Sequence, residues 1–406
     1  SGCAGLPAQT QRFAAPLGLH LLPGPAPALV EAGLGLHGCS RIMSRIRTLL
    51  WWILCAAVST MLLMAFARFS GVNHNEKAPL AAMLDGQAHR PYVTRALVPG
   101  LVNVLAALLS PAAKQAVNAQ LNGTYATARL LALFAAPSEL ALQGMLTLGV
   151  MWLSLLGFGA ALRSLMTAVY DGPPLTIDAV SLLVLCGLLP FFGFGYIYDF
   201  TVLWLFTLAL ALMVRRNWTA YLICFGLAAL NKETTILLLI PFTLYHLWPG
   251  RRLARQSALK LLLGQLLIFG LIWLTLRLIY AGNPGEASEF HLGDHAFMLQ
   301  TFPVLGGIST LSGIGLLVLM GLRPRQKPPF LIATALIFLP LLALFIPFGF
   351  PYEIRVFYEG YAAGALLVMQ TLLGRRAWGL TPKPDPGLVR DPGLNSKPNS
   401  DSSNIL

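Results

Sequence analysis

The stretch Tyr196-Ile-Tyr-Asp-Phe-Thr-Val-Leu-Trp-Leu-Phe-Thr-Leu-Ala-Leu-Ala-Leu-Met-Val-Arg215-Arg216 decides the fold class. Two tyrosines and an aspartate open it, an arginine pair closes it, and the run between carries no charge. An uncharged apolar run of this kind reads as a helix in lipid. The same grammar repeats along the chain from Met43 onward. Apolar runs are separated alternately by two kinds of loop. One kind is basic: Arg45 and Arg47, Arg215 and Arg216, Arg251, Arg252 and Arg255, Arg323, Arg325 and Lys327, Arg375 and Arg376. The other carries acids, aromatics and histidine: Asp85, Tyr198 and Asp199, Glu233, Glu286 to His295, Glu353 to Glu359. Lysine and arginine accumulate in cytoplasmic loops. The acid-bearing loops therefore belong on the opposite side, and the chemistry with them. The pattern predicts an all-α, polytopic transmembrane helix bundle with both termini cytoplasmic, in a bacterial inner membrane.

Composition agrees with this reading. The chain is 56% hydrophobic and only 11% charged, where soluble proteins carry roughly 25% charged residues. The net charge of +12 would suit a nucleic-acid partner. The basic excess, however, sits in the loops held on the cytoplasmic side, beside anionic headgroups. The expected partner is the lipid bilayer, with no nucleic acid. The five cysteines, Cys3, Cys39, Cys55, Cys186 and Cys224, include no CxxC spacing. They read as small hydrophobes, with no disulfide framework and no metal site.

Three regions follow from composition. Residues 1–42 are rich in Gly, Pro, Ala and Leu and almost free of charge, and are expected to form a disordered, non-native extension ahead of Met43. Residues 43–376 form the integral membrane domain. Residues 377–406, rich in Pro, Asp, Ser and Asn, are expected to be a disordered cytoplasmic tail. Within the membrane domain the apolar runs predict about ten spans: 49–66, 139–162, 177–195, 201–214, 218–230, 235–247, 261–280, 302–322, 330–348 and 356–373. The fourth to sixth runs fall short of the roughly 20 residues a helix needs to cross. Their polar ends are therefore placed below the outer surface, in a hydrated, protein-lined recess. The long first outer loop holds two interrupted apolar pieces, 96–110 and 129–136, which read as interfacial or re-entrant helices.

Four clusters could carry chemistry. The segment from Asp85 to Arg95, with His89, Arg90 and Tyr92, pairs one acid with cations suited to a phosphate; an ordinary solvated loop fits it equally. Tyr196, Tyr198 and Asp199 lie between two spans. The tyrosines suit an interface belt, whereas an acid opening a short apolar run calls for a partner or a function. Asn231, Lys232, Glu233 and Thr234 break a continuous apolar stretch, as a structural Lys–Glu pair or as a contact to a sugar hydroxyl or lipid phosphate. In the segment from Tyr352 to Glu359, a helical reading puts Glu353 beside Phe357 and Arg355 beside Glu359, as a salt-bridged helix end or a phosphate grip. The loop with Glu286, Glu289, His291, Asp294 and His295 has ligand-type residues, but its spacing matches no zinc or calcium pattern. It reads as a mobile hydrophilic loop. Asn122-Gly-Thr124 matches a glycosylation sequon, of little weight in a chain of bacterial style.

A first span, a long outer loop with an acid and interfacial helices, and then many spans with short loops resembles the GT-C superfamily. Its members are membrane glycosyltransferases that use polyprenyl-phosphate-linked sugars. The resemblance covers residues 43–376 as architecture. It implies that a carboxylate of the first outer loop is the base, a position that Asp85 occupies, with Glu76 as the other candidate. It implies that cations near the outer surface bind the donor phosphate, and Arg90, Arg95, Lys232 and Arg355 stand where such groups would. In this scheme Asp85 is catalytic and Arg355 and Lys232 grip phosphate. Glu353 and Asp199 orient the sugar or a divalent cation. Tyr198, Asn231, Glu233 and Glu359 complete the substrate-binding set. A transporter or flippase of a lipid-linked or anionic substrate, using Lys232, Glu233, Arg277 and Arg355, is the competing reading. A non-catalytic subunit of envelope polysaccharide assembly is the third.

Overall fold

A computed structural model describes residues 29–70, 72–193, 195–247, 253–286, 290–351 and 353–383. The chain forms two units, Ser1–Trp51 and Trp52–Leu406. Of the first, the described part is helical from Leu29. The expected disordered extension is thus corrected for residues 29–42. No proline follows Pro27 until Pro79, so nothing in this segment stops a helix from growing back out of the first apolar run. Residues 1–28 lie outside the described residues.

Among the described residues, six helices are long and apolar enough to cross a membrane: Ile42–Phe69, Ser138–Val169, Pro174–Phe191, Arg255–Ile279, Pro329–Phe348 and Ile354–Gly374. Four shorter apolar helices, Asp199–Val214, Trp218–Asn231, Glu233–Leu247 and Thr310–Gly321, occupy the other predicted runs. At 1.5 Å per residue a helix of Asp199–Val214 length spans about 24 Å, against about 30 Å of hydrocarbon. In the first loop, Leu97–Ala107 and Pro111–Gly123 meet at 108°, where Ser110 caps the second helix and accepts from the Ala113 N–H. Tyr125–Leu133 follows as a short third helix.

The core lies between Ser138–Val169 and Asp199–Val214. Phe158, Leu162, Leu203 and Leu210 are fully buried there. Gly157 admits the indole of Trp204, which a β-carbon at that position would strike. Ser154 and Thr201 hydroxyls meet at 2.9 Å across the pair, a polar contact suited to helices in lipid. By contrast, Arg255–Ile279 buries only Ala258, Gln265 and Leu276 and exposes Leu263, Leu267, Leu271, Leu274 and Leu278. Such a continuous apolar face has no place in water.

The two ends of Asp199–Val214 differ in character. At Arg215 the guanidinium donates to Ser164 O at 3.0 Å and Thr167 Oγ1 at 2.7 Å. Arg163 binds Asp178 nearby in the chain at 2.5 Å. The chain also returns to this end. Thr381–Pro382 pairs antiparallel with Tyr170–Asp171, and Lys383 Nζ donates to Thr167 O at 2.7 Å. Trp378 packs on Tyr170 edge to face at 5.6 Å, and Leu380 is buried. The disordered tail expected from residue 377 is therefore corrected. The segment through Lys383 is anchored because Trp378 and Leu380 supply apolar surface, and residues 384–406 lie outside the described residues. The other end of Asp199–Val214 holds the candidate site.

Candidate functional site

The site is built where a helix breaks. Trp218–Asn231 ends, Lys232 turns extended (φ −162°, ψ 138°), and Glu233–Leu238 restarts as a 3-10 helix. An extended residue between two helical segments sends successive side chains in different directions. Asn231 Nδ2 donates to Tyr198 O at 3.2 Å. Lys232 Nζ pairs with Glu359 Oε1 at 2.7 Å. Glu233 Oε1 accepts from Arg95 Nη2 at 3.3 Å. The Thr234 hydroxyl donates to Glu359. The expected local pairing of Lys232 with Glu233 is replaced by these two long-range pairs.

A second segment is likewise not the helix the sequence suggested. Residues Ile354–Phe357 form a 3-10 turn, and the α-helix starts at Tyr358. Glu353 stands ahead of that turn at non-helical φ −88°, ψ 60°, so Arg355 and Glu359 do not share an ion pair. Arg355 Nη1 instead donates to Asp199 Oδ1 at 3.3 Å, and its Nη2 donates to Glu353. Asp199 Oδ2 accepts from the Tyr196 N–H at 2.8 Å, and Glu353 Oε2 from the Phe350 N–H at 3.2 Å. Both carboxylates thus have both oxygens engaged.

Tyrosines join the two halves. Tyr196 stacks on Tyr92 at 5.0 Å and on Tyr198 at 5.5 Å. Arg355 lies over the Tyr196 ring at 4.1 Å and Arg95 over Tyr198 at 4.7 Å, cation–π contacts that strengthen on desolvation. Arg95 also donates to the Tyr198 hydroxyl, and Asn75 Nδ2 donates to that of Tyr196. Burial pushes the Tyr196 and Tyr198 phenols well above their ordinary value, which keeps them protonated beside two arginines.

The array holds three cations, Arg95, Lys232 and Arg355, against four carboxylates, Asp199, Glu233, Glu353 and Glu359. Asp199, Lys232, Arg355, Arg95 and Glu359 are all buried. Removing one partner of such a pair leaves an uncompensated buried charge, at a cost of about 3–5 kcal/mol. Asn231 Oδ1 and Glu359 Oε2 are buried with no hydrogen-bond partner among the described residues. The pair of Arg95 and Glu233 is one-sided, with side-chain exposures of 8% and 40%. Glu233 is where the array opens outward.

It opens into a small cleft of about 70 Å³ lined by Arg90, Pro91, Thr94, Ala229, Glu233, Phe269, Trp273, Leu276 and Arg277. Arg277 sits over the Trp273 ring at 5.1 Å. The wall formed by Phe269, Trp273 and Leu276 belongs to Arg255–Ile279, the helix with the bare apolar face. The first loop is stitched to the end of that helix. Asn283 Nδ2 donates to Gly86 O at 2.8 Å and Ala88 O at 3.0 Å, and the Arg90 N–H donates to Pro284 O at 2.8 Å.

Arg95, Tyr198, Asp199, Asn231, Lys232, Glu233, Glu353, Arg355 and Glu359 are therefore brought into one array, and Arg90 into the adjoining cleft. Asp85 is exposed at the C-terminal end of Leu80–Leu84 and lines neither, and Glu76 is exposed as well. Sequence reasoning named Tyr92 and Thr234 in its candidate clusters but left them out of the substrate-binding set, it missed Trp273 as a cleft wall, and it gave Arg277 only a place in a transport path. A cation one turn before the end of an apolar run was the signal for Arg277. In the outer loop, Leu292–Thr301 is a helix. His291 Nδ1 meets Asp294 Oδ2 at 2.7 Å and His295 Nε2 meets Gly349 O at 2.9 Å, which replaces the mobile loop expected there. Glu289 lies outside the described residues, as do Arg251, Arg252 and Tyr352. Among the described residues no group of three or more His, Cys, Asp or Glu is placed to hold a metal ion.

No family model matches the chain, and no curated protein or solved structure matches it either.

Proposed function

We propose that the protein is an integral membrane glycosyltransferase that moves a sugar from a polyprenyl-phosphate donor to an acceptor on the extracytoplasmic face of a bacterial inner membrane. The observation that carries this reading is the cleft. Two arginines and a glutamate share it with Phe269, Trp273 and Leu276 of Arg255–Ile279, the helix with a bare apolar face. A phosphate with a long isoprenoid chain needs this combination: fixed cations for the head and an apolar side wall along which the tail leaves into lipid. Arg90 and Arg277 take the phosphate role assigned from sequence to Lys232 and Arg355, whose charges are already balanced inside the array. The leaving phosphate develops charge as the glycosidic bond breaks, and preorganised cations stabilise it there.

In this reading the four shorter apolar helices cross together with the six long ones, giving ten spans, with both termini cytoplasmic and the array at the outer end. The GT-C-like architecture is part of the same proposal. The helix break at Lys232 also suits a carrier, because broken helices near the membrane midplane build many transport sites. One experiment separates the two. The purified protein in bilayer nanodiscs is given radiolabelled polyprenyl-phosphate sugars, and lipid phosphate release is followed. Turnover in a nanodisc, where no second compartment exists, supports the enzyme. Absence of turnover with every donor, together with uptake of label by sealed proteoliposomes, sinks the transferase in favour of the carrier.

A further inference from the structure

We propose that Glu233, and not a carboxylate of the first outer loop, is the general base of the transfer, an assignment that rests on the glycosyltransferase reading above. Glu233 is the only carboxylate among the described residues that line the cleft. The other three acids of the array are spent on its interior: Asp199 and Glu353 on Arg355, Glu359 on Lys232. Glu233 has the most exposed side chain of the four acids, at 40%, while its partner is buried. It is also held in place. The helix break fixes its backbone, and Arg95, set between Tyr92 and Tyr198, grips one carboxylate oxygen from behind. A base with a fixed direction, facing a cleft that carries two arginines for the leaving group, is the arrangement that acceptor activation requires. Asp85 and Glu76 are exposed and do not line this cleft.

The step balances with no further reagent. The acceptor hydroxyl gives its proton to the Glu233 carboxylate. The oxygen lone pair forms the new bond to the anomeric carbon. The bond from that carbon to the phosphate oxygen breaks, and its electron pair leaves with the polyprenyl phosphate, facing Arg90 and Arg277. Glu233 then returns the proton to solvent.

The test uses the full chain in nanodiscs with radiolabelled polyprenyl-phosphate sugars, comparing wild type with Glu233→Gln, Glu233→Asp and Asp85→Asn. General-base loss costs about 100-fold or more, so Glu233→Gln falls by at least that factor, while Glu233→Asp retains part of the rate and Asp85→Asn stays within about threefold of wild type. Sodium azide, a nucleophile that needs no deprotonation, restores sugar release in Glu233→Gln and yields the glycosyl azide. A purely structural role for the pair with Arg95 would show no azide rescue, and that result overturns the assignment. So does a Glu233→Gln rate near wild type, or loss of turnover in Asp85→Asn. Wild-type protein that turns over no donor overturns the transferase reading itself, an outcome distinct from turnover that is indifferent to Glu233.

Discussion

Lys232 Nζ and Glu359 Oε1 form a buried ion pair 2.7 Å apart. The desolvation of each is offset only while the other is present. Lys232→Met or Glu359→Gln alone is expected to lower stability by about 3–5 kcal/mol, and Lys232→Met combined with Glu359→Gln by clearly less than the sum. Thermal unfolding of the purified protein in detergent, followed by tryptophan fluorescence, checks this. Strict additivity would mean that the pair is not coupled. In the cleft, Arg277→Ala is expected to cut turnover at least about tenfold, the loss of one charge-assisted contact to a phosphate, whereas Arg325→Ala, at an exposed position of a basic loop outside the cleft, leaves turnover unchanged. Much of this site is legible in the sequence as charges where an apolar run leads one to expect none: Asp199, Lys232, Glu233 and Arg355. Their partners are not legible. Arg95 and Glu233 are 138 positions apart and Arg355 and Asp199 156, and no local pattern selects one cation for one acid. Asp85 is the converse case. Its position along the chain suggests a catalytic acid, while its backbone places it at an exposed helix end.

At the scale of elements, the same feature that made the runs look too short is what makes the site. The sequence Asn231-Lys-Glu-Thr interrupts an apolar stretch, and the interruption is a break that turns four consecutive side chains to three partners, Tyr198, Glu359 and Arg95. The 3-10 turn at Ile354–Phe357 was not legible, because Glu353 to Glu359 fits helical spacing and only the Asp199 contact pulls Arg355 away from it. The tail shows how composition misleads over short distances. A Pro- and Ser-rich stretch contains one tryptophan and one leucine at its start, and those two residues anchor it. Trp378→Ala is expected to free the strand at Thr381–Pro382, and limited thermolysin digestion should then cut the Gly379–Leu380 bond several times faster than in wild type. Unchanged cleavage would mean that the strand pairing holds without the indole. Gly157→Val, which drives a branched side chain into Trp204, is expected to cost about 1–3 kcal/mol in the same unfolding assay.

At the scale of the whole molecule, Asp199 begins a helix that Arg215 follows, whereas Arg255–Ile279 is basic at both ends, with Arg255 at its start and Arg277 in its last turn. The alternation of charged loops carried most of the fold-class reading, because it reports on the membrane and needs no tertiary contact. The cleft could not be foreseen, since its walls come from the first loop, the broken helix and the Arg255–Ile279 helix together. Orientation is testable in intact cells. Single cysteines at Glu286→Cys and Arg325→Cys, in a background with the native cysteines replaced, should react with a membrane-impermeant maleimide from outside at the first position only. The reverse pattern would invert the topology and move the cleft to the cytoplasm.

The most direct measurement is photocrosslinking of a diazirine-bearing polyprenyl phosphate to the protein in nanodiscs, mapped by peptide mass spectrometry. If the cleft holds a lipid-linked phosphate, adducts concentrate on the Phe269–Arg277 stretch and on Arg90–Thr94, and they fall away in Arg90→Ala combined with Arg277→Ala. Adducts spread evenly over the lipid-facing helices, at a yield indifferent to those two arginines, would contradict the account.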